Sequence, residues 1–235
     1  MQIVICVLFL TMLSIEFHCH TDSSKDSLLP PEKLVDTCRR KGLDRVVITD
    51  HNTIAGALRA KEYAPDFVII GEEIMTNQGE LLAAFVTEEI PKDLSPNKAI
   101  ELLRQQGAFI SVSHPFDLLR SGHWQLENLT AILPLVDAIE TFNARCMSAD
   151  YNRKAKEFAN QQGIPGTAGS DAHAAFELGR ARMHLPDFTD AESLRSALAQ
   201  ARFEVKLSSP FVHFTSRYAV WRKTRDSKSP ESGMT

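Results

Sequence analysis

Apolar and polar positions alternate along this chain in blocks of two kinds. Short apolar runs at Ile15–His18, Arg45–Thr49, Phe67–Ile70, Leu81–Val86, Ala108–Ser113, Val136–Glu140, Gly166–Gly169 and Arg180–Leu185 read as strands. Between them lie segments with helical spacing. Pro30-Pro31-Glu32 opens one in which Leu34, Val35 and Cys38 share a face and Gly42 ends it. Asn52 to Tyr63 is the next. Ser95-Pro96 opens a third, carrying Ala99, Ile100 and Leu103 and closed by Gly107. Ser148–Gln162 and a segment capped by Asp190, with Leu194, Ala197, Leu198 and Ala201, complete the set. This strand-then-helix rhythm predicts a single-domain α/β fold with a mainly parallel sheet.

Polar residues gather where the strands end. His18, Asp50-His51, Glu73, His114, Glu140 and Asp171 each fall at or just after the C-terminal end of a predicted strand. In a β/α barrel those ends share one face, so scattered positions converge there. His18 and His20 are two apart on a strand and point to the same side, where two imidazoles can bind one ion. Cys19 between them faces the opposite side, as a core residue. Asp50 is placed to orient a histidine. A carboxylate such as Glu73 can bridge two metals, which an imidazole cannot. Surface histidines, hydrogen-bonded turns and solvated glutamates are the competing readings for each piece alone. Together, five of eight histidines (His18, His20, His51, His114, His173) occupy strand ends of one pattern. His123, His184 and His213 lie outside it and read as structural or surface residues.

Composition narrows the classes. The chain has 235 residues, 43% hydrophobic and 24% charged, with a formal net charge of -4. The acidic balance, with no aromatic-and-basic stripe evident, argues against a dedicated binder of long nucleic acid. Cys6, Cys19, Cys38 and Cys146 are scattered with no C-x-x-C pair, which disfavours a disulfide framework and fits a reducing cytoplasm. Residues 1–13 read as an apolar extension, with Met12 the expected true start; a signal-like or anchoring segment is the alternative. Residues 14–215 form the expected domain, and 226–235 a disordered tail.

The segments F-H-C-H-T-D (17–22), I-T-D-H-N (48–52), G-E-E-I (71–74), S-H-P-F (113–116) and G-S-D-A-H (169–173) resemble the PHP (polymerase and histidinol phosphatase) family of metal-dependent phosphoesterases in order and spacing. The resemblance spans residues 15 to about 185. It implies a distorted (β/α)7 TIM-like barrel with two or three divalent ions (Mn, Zn or Fe) in its mouth. His18, His20 and Asp171 would hold the first metal, and Glu73 would bridge to a second on His114. Asp26, His51 and His173 would form a third site, with Asp22 the competing choice for Asp26. Many members place a histidine after the bridging glutamate; Glu80 stands there in this chain. A carboxylate at that place favours a harder ion such as Mn.

The chemistry expected is hydrolysis of a small or nucleotide-like phosphate ester by a metal-activated water. Three divalent ions against four carboxylates leave the site cationic, which suits an anionic substrate. Asp171 or His173 is placed to protonate the leaving group, although a metal-bound histidine cannot serve. Arg145 is the candidate phosphate ligand, with Arg180 and Asn143 behind it. A short oligonucleotide is the alternative substrate, giving an exonuclease. An amidohydrolase-type C–N hydrolase and a metal-binding protein without activity are the remaining readings. No stable membrane partner is expected.

Overall fold

Nine strands and seven α-helices occupy residues 12–226, which are those the computed structural model describes. The expectations for residues 1–11 and 227–235 lie outside them. The order is β1 (Met12–Glu16), α1 (Pro31–Arg40), β2 (Arg45–Ile48), α2 (Ala55–Tyr63), β3 (Val68–Met75), β4 (Glu80–Ala84), α3 (Pro96–Gln105), β5 (Phe109–Val112), α4 (Leu126–Ile132), β6 (Ala138–Asn143), α5 (Ala149–Gln162), β7 (Gly166–Gly169), β8 (Ala181–Pro186), α6 (Ala191–Ala197), β9 (Arg202–Val205) and α7 (Val212–Asp226). Local chemistry marks the helix ends. Ser95 Oγ accepts from Lys98 N at α3, and Asp190 and Ser193 cap each other at α6.

The strands form one sheet in the order β7-β6-β5-β4-β3-β2-β1-β8-β9. Beyond their named ends, β1 and β7 approach each other through a parallel bridge between Cys19 and Ala172. His20 N donates to Ala172 O at 2.8 Å and Asp171 N to His18 O at 2.7 Å. The result is a distorted, nearly closed seven-stranded barrel, with the β8–β9 hairpin laid against the start of β1. The sheet is less parallel than expected. β1–β2, β2–β3, β5–β6 and β6–β7 are parallel, but β3–β4, β4–β5, β1–β8 and β8–β9 are antiparallel. For β4, which is antiparallel to both its neighbours, the cause is the short Thr76–Gly79 turn, which can join only antiparallel strands; a parallel pair needs a crossover. Thr76 Oγ1 accepts from Gly79 N and donates to its carbonyl.

Two further departures shape the mouth. The strand read as Phe67–Ile70 runs on to Met75, so Glu72 and Glu73 sit within β3 rather than in a loop. Strand β6 carries a bulge: Glu140 pairs with Thr167 but Phe142, not Thr141, pairs with Ala168. An extra residue shifts the alternation, so Glu140 and Asn143 both reach the same face.

Apolar burial lies in three clusters. Ile15, Phe17, Val47, Phe109 and Ala168 join β8 and α6, with Phe17 and Phe109 edge to face at 5.7 Å. A second cluster lies under α3 and α4, and a third, including Cys19, under α1 and α2.

The apolar spacing marks neither α4, β9 nor α7. The expected domain limit at residue 215 falls inside α7. Val212 and Ala219 anchor that helix, while Phe211, Phe214, Tyr218 and Trp221 stand exposed. Arg217, Arg222 and Arg225 are exposed beside them. The expectation of no aromatic-and-basic stripe is therefore corrected. The stripe exists only once the segment is helical, because its residues are three and four apart. Among the described residues no helix is long and apolar enough to cross a membrane.

Candidate metal centre

Nine side chains named from the sequence as metal ligands meet at the C-terminal mouth of the barrel. His18 and His20, just beyond β1, turn Nε2 toward Glu73 Oε2 at 3.4 and 3.5 Å and toward Asp171 Oδ1 at 3.7 and 3.2 Å. His114 Nε2, beyond β5, lies 3.1 Å from Glu73 Oε1 and 3.3 Å from Glu80 Oε2. Asp26 Oδ2 lies 3.2 Å from His173 Nε2 and 3.6 Å from His51 Nε2. His51 Nδ1 faces the other way, 3.0 Å from Glu73 Oε2 and 3.9 Å from Glu80 Oε1. Glu80 reaches the mouth because β4 is antiparallel, so its first residue lies where β3 ends.

The donor set fits metal ions. Three groups present ligand atoms within 4.8 Å of one another: His20, His51 and His173; His18, His20 and Glu73; His51, Glu73 and Glu80. Buried polar atoms are normally hydrogen-bonded. Here His18 Nε2, His20 Nε2, His173 Nε2, Glu73 Oε2, Asp171 Oδ1 and Asp26 Oδ1 are buried without a hydrogen-bond partner.

The free nitrogens are held in place from behind. His18 Nδ1 meets Glu140 Oε1 at 2.9 Å, and the other Glu140 oxygen accepts from His114 N and Asn143 Nδ2. His20 Nδ1 meets Ser24 Oγ at 3.2 Å, and Ser24 Oγ donates to Asp50 Oδ1 at 2.6 Å. Asp50, fully buried, also takes Thr21 N and Thr21 Oγ1. Asp50 thus orients a histidine through a serine. Helix α2 comes close enough for this only because Gly56 lacks a side chain; a Cβ there would lie 2.0 Å from Thr21 Oγ1 and 2.3 Å from Asp50 Oδ2. Gly169 plays the same part under His18, where a Cβ would lie 2.2 Å from the His18 Cβ.

Electrostatics follow from the crowding of carboxylates and imidazoles. Burial pushes Asp171 up, but Arg120 and His18 outweigh it and hold the carboxyl well below its usual range. A carboxyl held low in this way suits a metal ligand. Asp26 is likewise held low against burial, by His173 and His51. Burial and the neighbouring Glu73 carboxylate raise Glu80. Burial, with His173 and His51 alongside, keeps His20 low and neutral. Burial pushes His18 and His51 down, but the Glu73 carboxylate outweighs it and raises both; carboxylates crowded this closely call for positive charge between them.

Other candidates fall elsewhere. Asp22 turns outward to Arg59 at 3.2 Å, leaving the inner position to Asp26. Glu72 faces away and accepts from Ile90 N. Cys19 points into the core. His123, His184 and His213 contact Arg120 O, Glu204 and Arg145 O.

Arg145 is 3% exposed; its guanidinium pairs with Glu177 at 3.1 Å and hydrogen-bonds His173 Nδ1, Val212 O and Ser216 Oγ. It props His173 and α7 and does not line the mouth. Arg180 does not line it either, and Asn143 Nδ2 is spent on Glu140 and Asp171. The arginine at the mouth is Arg120, which no sequence motif marks. It donates to Asp171 Oδ2 and pairs with Asp117 at 3.5 Å. With Lys25 and Lys92 it lines a cavity of about 590 Å3 that also touches Asp26, His51 and Glu80. Arg120 lies in an irregular loop after S-H-P-F, where no periodicity or motif marks it; the only signal was its closeness to His114.

Comparison with known proteins follows the same lines. A family model described as PHP domain matches residues 16–114, and one described as PHP-associated matches residues 149–203. An uncharacterized protein of Methanocaldococcus jannaschii is 38% identical over 172 residues, covering 72% of this chain and 69% of its own. A second from that organism is 36% identical over 142 residues, 55% of this chain and 81% of its own. The fold is similar to that of a two-domain protein containing a predicted PHP-like metal-dependent phosphoesterase from Bacteroides vulgatus, with a TM-score of 0.68 at 20% identity over 89% of this chain and 70% of that one. A lesion-specific endonuclease from Pyrococcus furiosus shares the fold more distantly, with a TM-score of 0.55 at 14% identity over 85% of this chain and 60% of that one.

Proposed function

This chain belongs to the PHP-domain family, and on that premise we propose that it is a metal-dependent phosphoesterase hydrolysing a small-molecule or nucleotide-like phosphate ester. One observation carries the reading: five buried ligand atoms of His18, His20, His173, Glu73 and Asp171 converge without hydrogen-bond partners. His18, His20 and Asp171 would hold a first ion, His114 and Glu80 a second with Glu73 shared between the two, and Asp26, His51 and His173 a third. Divalent ions bound there supply a water nucleophile at neutral pH and positive charge for the phosphoryl oxygens.

The chain's own residues do the rest. Glu140, Ser24 and Asp50 fix which imidazole nitrogen is bare. Arg120 stands beside Asp171 at the cavity wall, where a guanidinium can hold a phosphoryl oxygen as substrate enters. Lys25 and Lys92 add positive charge at the rim, which favours anions. Glutamate rather than lysine at the bridging place separates this site from C–N hydrolases of the amidohydrolase type.

The test is a panel of phosphate mono- and diesters offered to full-length protein loaded with Mn, Zn or Fe, with elemental analysis of the same samples. Turnover of at least one ester, abolished by chelation, is the expected result. Metal-replete protein that turns over none of the panel would sink the proposal.

A further inference from the structure

We propose that the outer face of α7 is a docking surface for single-stranded nucleic acid and feeds its phosphodiester backbone toward the metal mouth. As a statement of substrate class this rests on the phosphoesterase reading; as a statement of binding it stands alone. Phe211, Phe214, Tyr218, Trp221 and Arg225 follow one another at spacings of three and four, so they form one stripe along the helix. The aromatics are 75%, 62%, 50% and 54% exposed. Phe211 and Phe214 stack at 6.2 Å, Tyr218 and Trp221 lie 5.7 Å apart, and the Arg225 guanidinium sits over the Trp221 ring at 5.6 Å. Arg217 and Arg222 flank the stripe. At its start lies a cavity of about 250 Å3 walled by Met147, Pro210, Phe211, His213, Phe214 and Arg217, a seat for one unstacked base.

The occupant is chosen by charge and position. Stacking platforms set among arginines are what an unpaired polynucleotide needs, because every base has a π face and every linkage a phosphate. The stripe concentrates positive charge on a chain whose formal net charge is -4. A second copy packed stripe on stripe would set Arg217, Arg222 and Arg225 against themselves. A lipid surface would bury the stripe's centre line, on which Arg225 lies. The helix also leads to the chemistry. Lys223 Nζ donates to Asp22 O and Ser24 O in the loop that carries Asp26, and Arg145 ties Val212 O and Ser216 Oγ to His173. At 1.5 Å per residue α7 is about 22 Å long, room for several stacked nucleotides beside the mouth.

The test uses full-length protein with metals chelated, titrated with a short labelled oligothymidylate or oligoadenylate, and read by anisotropy and by Trp221 emission. The only other tryptophan, Trp124, is buried, so quenching reports on the helix. Binding with quenching is expected. Y218A/W221A should weaken affinity about tenfold or more. R217Q/R222Q should lower the salt slope by about 0.7 per arginine. Metal-loaded Y218A/W221A should keep wild-type kcat/KM on any small ester the wild type cleaves while losing activity on the oligonucleotide. Equal oligonucleotide affinity in wild type and Y218A/W221A overturns the surface. So does light scattering that shows these substitutions breaking a dimer, or vesicle flotation lost in the variant, where oligonucleotide binding is absent. Oligonucleotide binding without hydrolysis of any phosphoester would leave the surface standing and remove the phosphoesterase reading.

Discussion

His18 and Glu140 are 122 positions apart, and the His18 ring nitrogen Nδ1 meets Glu140 Oε1 at 2.9 Å inside the barrel. The same carboxylate accepts from the backbone N of His114, so one side chain sets the pose of two candidate ligand residues. Glu140 touches no predicted ligand-binding atom itself. Its effect is to keep His18 Nε2 bare and aimed.

Glu140→Ala should therefore weaken metal binding about 10- to 100-fold while leaving the fold intact. Competition titration with a chromogenic chelator checks this. Unchanged affinity would mean that His18 needs no orienting partner.

Glu80 should govern the second ion. Glu80→Gln removes a carboxylate from beside Glu73 and His114, so elemental analysis should find about one ion fewer per chain. Glu80→His should restore that ion and shift preference from Mn toward Zn, since imidazole is the softer ligand. An unchanged ion count in Glu80→Gln would show that the second ion does not depend on this carboxylate.

Arg120 should act on substrate more than on metal. Arg120→Gln should lower kcat/KM for a phosphate ester about tenfold or more, at unaltered metal content. Loss of metal instead would assign Arg120 to holding Asp171, to which it also donates.

Away from the mouth, Asp137 should make stability depend on pH. Burial pushes its carboxyl up, but hydrogen bonds from Arg104 and Arg195 outweigh that and hold it below its ordinary value. A depressed acid stabilises the fold above its unfolded-state pKa and loses that contribution as pH falls through the folded value. Asp137→Asn should cost about 1.5–3 kcal/mol at pH 7. The gap from wild type should close as pH drops below the usual carboxylate range. Urea denaturation from neutral to acid pH measures both, and a gap constant across pH would contradict the assignment.

Much of the mouth could be read from residue order because its side chains sit at strand ends, where β/α periodicity is strong. His18, His51, His114 and Asp171 all follow short apolar runs that form β1, β2, β5 and β7. The less legible parts depend on tertiary geometry. The bulge at Thr141, which turns Glu140 and Asn143 to one face, leaves no trace in periodicity. The antiparallel setting of β4, which brings Glu80 in, follows from a turn and not from an apolar pattern. Arg120 lies in a loop, and Arg145 looked available only because its partners on α7 are about 70 residues away. The stripe on α7 was hidden because its aromatics are never adjacent in sequence.

The Cys19–Ala172 seam bears on how the molecule assembles. Every strand pairing from β1 to β7 joins sequence neighbours, and the seam alone joins the two ends of that run. Made first, it would enclose about 150 residues at a loop-closure cost of roughly 4 kcal/mol; made last, the intervening strands have already brought its edges together. His18, His20, Asp171 and His173 flank that seam, so an ion held among them would act as a clasp on the final join. During synthesis His18 and His20 emerge long before Asp171 and His173, so the four cannot share an ion until β7 has left the ribosome.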